Sequence, residues 1–144
     1  MLAKTISALL LVAACVSIHA AGLSAAFRRI PRRRELYAGY WHWTGLFIGL
    51  AAWIILLHLL EIAVWAEFFQ WKNTMPDAAS ALYFSAVTYT TTGYGDLVLP
   101  PEWRLLSGVE ALTGILMCGW STGFFFAVVA RMFDSLVTQD TGRR

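Results

Sequence analysis

Charge is what this sequence has least of. Asp, Glu, Lys and Arg make up 14% of its 144 residues, whereas soluble domains carry about 25%. That is too little to cover a globular surface, so an ordinary soluble domain is excluded. The apolar residues are gathered into long blocks rather than scattered, which also excludes most nucleic-acid binders, and the net charge of +2 tells less by its size than by its placement. Cysteine is nearly absent: Cys15 and Cys118 lie far apart inside apolar stretches, with no C-x-x-C spacing. A disulfide framework or a zinc finger is therefore unsupported, and two buried, inert thiols are expected. No nucleotide loop, nucleophile constellation or metalloprotease motif occurs, so the chain is not expected to be an enzyme. The length allows one domain, or one subunit of an oligomer.

What the chain does have is 58% hydrophobic residues, gathered into three long runs. A bilayer core of about 30 Å needs about 20 apolar residues in a helix. The run over residues 5–27 carries no formal charge, the run over 44–66 is interrupted only by His58 and Glu61, and the run over 105–130 contains Glu110 alone. Each is long enough to span. Arg28, Arg29, Arg32, Arg33 and Arg34 separate the first two runs, and Arg131, Arg143 and Arg144 follow the third; only Lys4, Lys72 and Arg104 fall on the opposite side. The bias of basic residues makes the arginine-rich side cytoplasmic, with the N-terminus outside and the C-terminus inside. Trp41, Trp43, Trp65, Trp71 and Trp103 fall at the run ends, where amphipathic rings favour the interface. The first run also has marks of a secretory signal, namely Lys4, an apolar stretch and small residues around Ala20. Its length and the five arginines behind it favour a retained span, and cleavage stays open as the alternative. Those arginines read as topology determinants in contact with anionic lipid rather than as a nucleic-acid patch.

The connection between the second and third runs carries the chemistry. From residue 74 to residue 96 it reads T-M-P-D-A-A-S-A-L-Y-F-S-A-V-T-Y-T-T-T-G-Y-G-D. Thr74 and Asp77 form a capping-box-like start, with Pro76 in the first turn, so a short helix is expected over 75–89, about 22 Å long. Irregular backbone follows at membrane depth, where it is tolerated only if protein buries it or water lines it. For successive carbonyls to point the same way, alternate residues must take positive φ, which glycine does without strain. Gly93 and Gly95 are spaced for this. Stacked carbonyls can then replace the hydration shell of a cation, and the C-terminal end of the short helix favours a cation in the cavity below.

T-T-T-G-Y-G-D between a re-entrant helix and a long inner helix resembles the potassium-channel signature, whose usual form is T-V-G-Y-G. The resemblance covers roughly residues 44–131. It implies an all-α membrane protein with three transmembrane helices, a pore helix and a filter loop, assembled as a homotetramer because one segment cannot close a carbonyl ring. By the same resemblance, Thr91, Thr92, Gly93, Tyr94 and Gly95 hold the ions. Asp96 rings the outer mouth, and Tyr83 and Phe84 form an aromatic cuff around the filter. Two positions depart from the family pattern. Thr92 replaces a Val or Ile, so its hydroxyl needs a partner such as Ser85 or Thr88. Val87 stands where some members brace the Asp with a glutamate.

Within the third run, Gly114 lies about where the family has its hinge glycine, and Gly119 follows a turn and a half later. Both are hinge candidates, with close helix packing as the plainer reading. Phe124, Phe125, Phe126, Val129 and Met132 lie toward the cytoplasmic end, and more of them are expected to face lipid or the outer helix than a constriction. Glu61 and Glu110, about 8 Å and 13 Å below the outer ends, are expected to support the filter by bonding pore-helix hydroxyls, or to pair with Arg104. His58 lies a turn before Glu61, within i,i+3 reach. Those two offer two metal ligands without a third, so no metal beyond permeant K⁺ is expected. His19 and His42 carry no assignment.

The expected organisation is an N-terminal span and basic linker over 1–35, a pore domain over 36–133, and a short cytoplasmic tail over 134–144. The pore domain comprises an outer helix over 42–67, a pore helix over 75–89, a filter over 91–96 and an inner helix over 102–132. No span has arginine at every third position, and the tail is short, so neither a voltage sensor nor a ligand domain is expected. The expected function is passive K⁺ conduction without cofactors, small-molecule ligands or nucleic acid, in a bacterial inner membrane. A weakly selective cation channel, a potassium-transporter subunit and a non-conducting accessory subunit are the alternatives.

Overall fold

A computed structural model describes residues 2–29 and 40–142, all helix or connecting turn, with no strand among them. The helices are α1 (Leu2–Arg29), α2 (Tyr40–Trp71), α3 (Ala78–Tyr89) and α4 (Arg104–Gly142). Three of them are long and apolar enough to cross a bilayer: Leu2–Arg28, Trp41–Trp71 and Arg104–Arg131. The fourth, α3, has 12 residues, about 18 Å of helix, and is too short to span. α4 runs through Gly142, so the segment expected as a tail continues the inner helix. Arg32, Arg33, Arg34, Arg143 and Arg144 lie outside the described residues.

Contacts at the helix ends fix the arrangement. Lys4 Nζ donates to the Glu102 carbonyl at 2.6 Å and sits 4.4 Å from the Trp103 ring. At the other end, the Arg131 guanidinium lies 5.9 Å from the Phe27 ring. α1 and α4 therefore run parallel, with α2 antiparallel to both. The loop holding α3 lies at the Lys4 end, and the basic residues Arg28 and Arg131 lie at the other. That is the two-ended distribution of charge seen in the sequence.

α2 stops in a Schellman motif. Asn73 takes φ 51° and donates its N–H to Gln70 O at 2.9 Å, while Thr74 N–H reaches Phe69 O at 3.1 Å. The Thr74 hydroxyl bonds the same carbonyl at 2.9 Å. Thr74 thus closes α2 and does not open the pore helix. α3 starts three residues later than the sequence suggests, because Asp77 is its N-cap and accepts from Ser80 N–H at 2.7 Å. That amide, closing onto the carboxylate, holds Asp77 below its usual range.

The larger apolar core packs α3 against α2 and α4. Phe69 is fully buried, its ring tilted against Trp65 at 6.0 Å and meeting Phe84 edge-on at 5.5 Å. Trp65 is therefore a core residue and not an interface anchor, whereas Trp41 and Trp71 are exposed as expected. A smaller cluster of Ala26, Leu50 and Val128, with Phe47 and Phe125, packs the opposite end. Of the two thiols, Cys15 is buried but Cys118 is exposed on α4, against the expectation that both are buried.

Candidate ion-conduction site

The pore helix ends by repeating the device that ends α2. Thr91 takes φ 60° and donates to Thr88 O at 2.9 Å, and Thr92 N–H reaches Val87 O at 2.9 Å. Gly93 N–H shares the Val87 carbonyl at 3.2 Å. Positive φ then recurs at Gly93 (56°) and Gly95 (76°), so residues 91, 93 and 95 alternate in handedness with their neighbours. The glycine positions match the sequence expectation. Thr91 does not: a β-branched residue in this region is strained by roughly 1–2 kcal/mol. Its amide bond to Thr88 and the neighbouring Thr92–Val87 bond hold it there.

The Thr92 hydroxyl finds a partner that the sequence reading did not consider. Thr90 Oγ1 donates to Ala86 O at 2.7 Å and lies 3.0 Å from Thr92 Oγ1, so Thr92 donates to Thr90. Neither Ser85 nor Thr88 bonds it. At the outer end, Tyr83 Oη donates to Asp96 Oδ2 at 2.7 Å. This ties α3 to the last residue of the filter segment, where Val87 supplies no side-chain brace. The bond holds the Asp96 carboxyl below its usual range and raises the Tyr83 phenol above its own. Phe84 turns into the core beside Phe69, while Tyr94 is 72% exposed on the single chain. Within one chain, therefore, Tyr83 contacts the filter segment through its hydroxyl and Phe84 packs behind the pore helix. A cleft of about 580 Å³ separates the filter from α4, with Thr91, Gly93, Asp96, Ser107 and Ala111 on its walls.

The intramembrane acids lie where α3 packs on its neighbours. Glu110 is fully buried, and neither of its carboxylate oxygens has a hydrogen-bond partner. The Ser85 hydroxyl, equally buried on the pore helix, is the polar group that faces it, in a contact looser than a well-formed hydrogen bond. The suggested pairing with Arg104 does not form, since Arg104 Nε donates to Leu99 O at 3.2 Å.

Glu61 is also fully buried, and α2 extends ten residues past it to Trp71. That places it about 15 Å from the helix end, deeper than the sequence count gives. It accepts from the Tyr89 hydroxyl, at the last residue of the pore helix, and lies 2.8 Å from His19 Nδ1. His58 is 3.9 Å from Glu61 but bonds Tyr89 Oη at 3.1 Å instead. Ser121 on α4 lies 3.0 Å from His19 Nε2 and 3.2 Å from His58 Nε2. All four helices thus meet in one polar cluster beneath the filter.

Gly114 explains how α4 comes so close to that point. A Cβ there would lie 1.9 Å from the Tyr89 carbonyl oxygen, whereas one at Gly119 would meet nothing within 4 Å. The missing side chain at Gly114 serves backbone approach between the inner helix and the end of the pore helix. Phe125 packs on Phe47 of α2 at 5.5 Å, while Phe126 is exposed.

Three apolar spanning helices with a short helix and an alternating-handed loop folded back between the last two define a pore-loop membrane protein. A family model described as an ion channel matches residues 46–131, more than half of the chain. The chain belongs to that ion-channel family, whose pore domain has two spans. No curated protein and no solved structure matches it.

Proposed function

We propose that the protein is a K⁺-selective channel, conducting passively through backbone carbonyl rings in a homotetramer. The observation that carries this reading is the alternation of positive φ at Thr91, Gly93 and Gly95 inside T-T-G-Y-G. Alternating handedness is what successive carbonyls, here those of Thr91, Thr92, Gly93, Tyr94 and Gly95, need in order to share one side, and backbone carbonyls are ligands that substitute for the water shell of K⁺. Asp96, ionised and tied to Tyr83, concentrates cations at the mouth. Residues 90–96 are all exposed on a single chain. Exposed irregular backbone at membrane depth needs protein or water around it, which supports a ring of chains about a wet axis. The arginine end faces the cytoplasm, placing the filter at the outer side of a bacterial inner membrane.

The test is ion flux through purified protein in liposomes under K⁺ or Na⁺ gradients, with Ba²⁺ as blocker. K⁺ flux in excess of Na⁺ flux, blocked by Ba²⁺ and lost in Gly95→Ala, is the expected result. Equal fluxes of the two ions would replace this reading with a weakly selective cation channel. No flux from a correctly assembled oligomer would replace it with an accessory subunit.

A further inference from the structure

The cluster under the filter has one more polar contact than it has hydrogens to fill when Glu61 carries none. It contains five polar contacts: His19–Glu61, Tyr89–Glu61, His58–Tyr89, Ser121–His19 and Ser121–His58. Each contact needs one hydrogen. Tyr89, Ser121 and two neutral imidazoles supply one apiece, and an ionised Glu61 supplies none. Four hydrogens cannot fill five contacts in a site where His19 and Glu61 are fully buried. A fifth hydrogen, or a metal ion in its place, would complete the set.

The geometry points to a divalent transition-metal ion of the Zn²⁺ class, held by His19, His58 and Glu61. One ligand atom from each of these residues lies within 4.8 Å of the other two. Both Nδ1 atoms face the acidic side of the cluster, His19 toward Glu61 Oε1 and His58 toward the Tyr89 hydroxyl. Both Nε2 atoms face the same Ser121 oxygen. This is the arrangement that two Nδ1-coordinating imidazoles require, because each then carries its remaining hydrogen on Nε2 and must donate it. One serine oxygen has two lone pairs and accepts both. Its own hydrogen is left for the carbonyl a turn back, as with Thr113 to Val109 and Thr122 to Cys118. Two imidazole nitrogens and a carboxylate form a donor set suited to Zn²⁺.

The Tyr89 oxygen, touching both Glu61 and His58, is placed as a fourth ligand. Charge balances if the entering ion displaces two protons, the shared one on the His19–Glu61 pair and the phenolic one of Tyr89. The buried site then stays neutral, as its surroundings demand. Entry lies at His58, whose side chain is 16% exposed while those of His19 and Glu61 are closed off. Occupancy would fasten α1 to the end of the pore helix, two residues before Thr91.

The experiment loads metal-stripped protein in detergent with Zn²⁺ or Co²⁺ at neutral pH and removes unbound metal by gel filtration. A Cys118→Ser background keeps the exposed thiol out of the reading. The expected result is roughly one Zn²⁺ retained per chain, with Co²⁺ giving the visible absorption of a four-coordinate site. Affinity should weaken as pH falls, because protons compete for the ligands. Ser121→Ala should lower affinity about 10- to 100-fold, and His19→Gln and His58→Gln should abolish retention in protein that still elutes as the wild-type oligomer. Wild-type protein that retains no Zn²⁺ and shows no Co²⁺ bands would overturn the assignment and leave the fifth hydrogen to complete the set. Equal retention by both glutamine variants would overturn it as well. Neither readout involves flux, so the result stands apart from K⁺ selectivity.

Discussion

At Gly114 a single methyl group decides whether α4 can reach the pore helix. Its Cβ would stand 1.9 Å from a backbone oxygen, and backbone cannot swing aside as a side chain can. Gly114→Ala is expected to destabilise the folded channel by about 1–3 kcal/mol, measured by thermal unfolding in detergent. Gly119→Ala, with open space around it, is expected to be near neutral. A hinge role at either glycine predicts instead a change in gating with little change in stability, so unfolding and flux measured on both variants separate the two readings. Tyr83→Phe removes the donor that holds Asp96 below its usual range. Because a depressed carboxyl pKa favours the contact above that pKa and loses it below, the Tyr83–Asp96 tie persists at neutral pH and fails only in acid. The acid loss of K⁺ flux is therefore expected to begin at higher pH in Tyr83→Phe than in wild type, read from flux against external pH. At this scale the sequence disclosed Gly93 and Gly95, since glycine announces positive φ by its chemistry. It did not disclose Thr91, whose φ of 60° is imposed by the helix-ending hydrogen bonds against its own preference. The Thr90–Thr92 hydroxyl pair was equally hidden, because residues two apart face away from each other in a helix, and these two meet only through the left-handed turn at Thr91 that ends the pore helix.

The elements were the most legible level, and their boundaries the least. Runs of about 20 apolar residues can become little else than spanning helices in lipid, and all three do. The T-x-x-D pattern at residues 74–77 was ambiguous, since threonine closes one helix as readily as it opens the next. The structure uses Thr74 for the first purpose and Asp77 for the second. This division of labour makes a prediction about Asn73, which takes the left-handed position at the end of α2. Asn73→Ala is expected to cost about 1 kcal/mol, while Asn73→Gly costs none of it, because the penalty belongs to the Cβ. Chemical denaturation of the two variants in one detergent checks the difference. If both behave alike, the turn is not what positions the pore helix. Buried partners across elements were not legible at all: His19 and Glu61 are 42 residues apart, and no local pattern joins them.

For the whole molecule, the exposed filter is the feature that one chain leaves unresolved. Residues 90–96 stand open to solvent, Tyr94 is 72% exposed, and a cleft of about 580 Å³ lies between the filter and α4. On the proposed reading, a single subunit would offer each ion one quarter of a coordination ring and so would have almost no affinity for K⁺. In the proposed tetramer, complete rings would exist only once four chains have assembled. An ion that binds the assembly and not its parts stabilises the assembly by mass action, in proportion to the logarithm of its concentration over its dissociation constant. The oligomer is thus expected to resist heat and detergent better in K⁺ than in Na⁺ at equal ionic strength. A K⁺ concentration 100 times the dissociation constant corresponds to about 2.7 kcal/mol. Gly95→Ala places a Cβ at φ 76° and distorts the mouth of the filter, so it should shrink the gap between the two ions without requiring the tetramer to fall apart. Oligomer survival on heating, compared across K⁺, Na⁺ and the variant, measures this directly. Equal survival of wild type in both ions would mean that the rings do not form around K⁺, even if the four chains assemble.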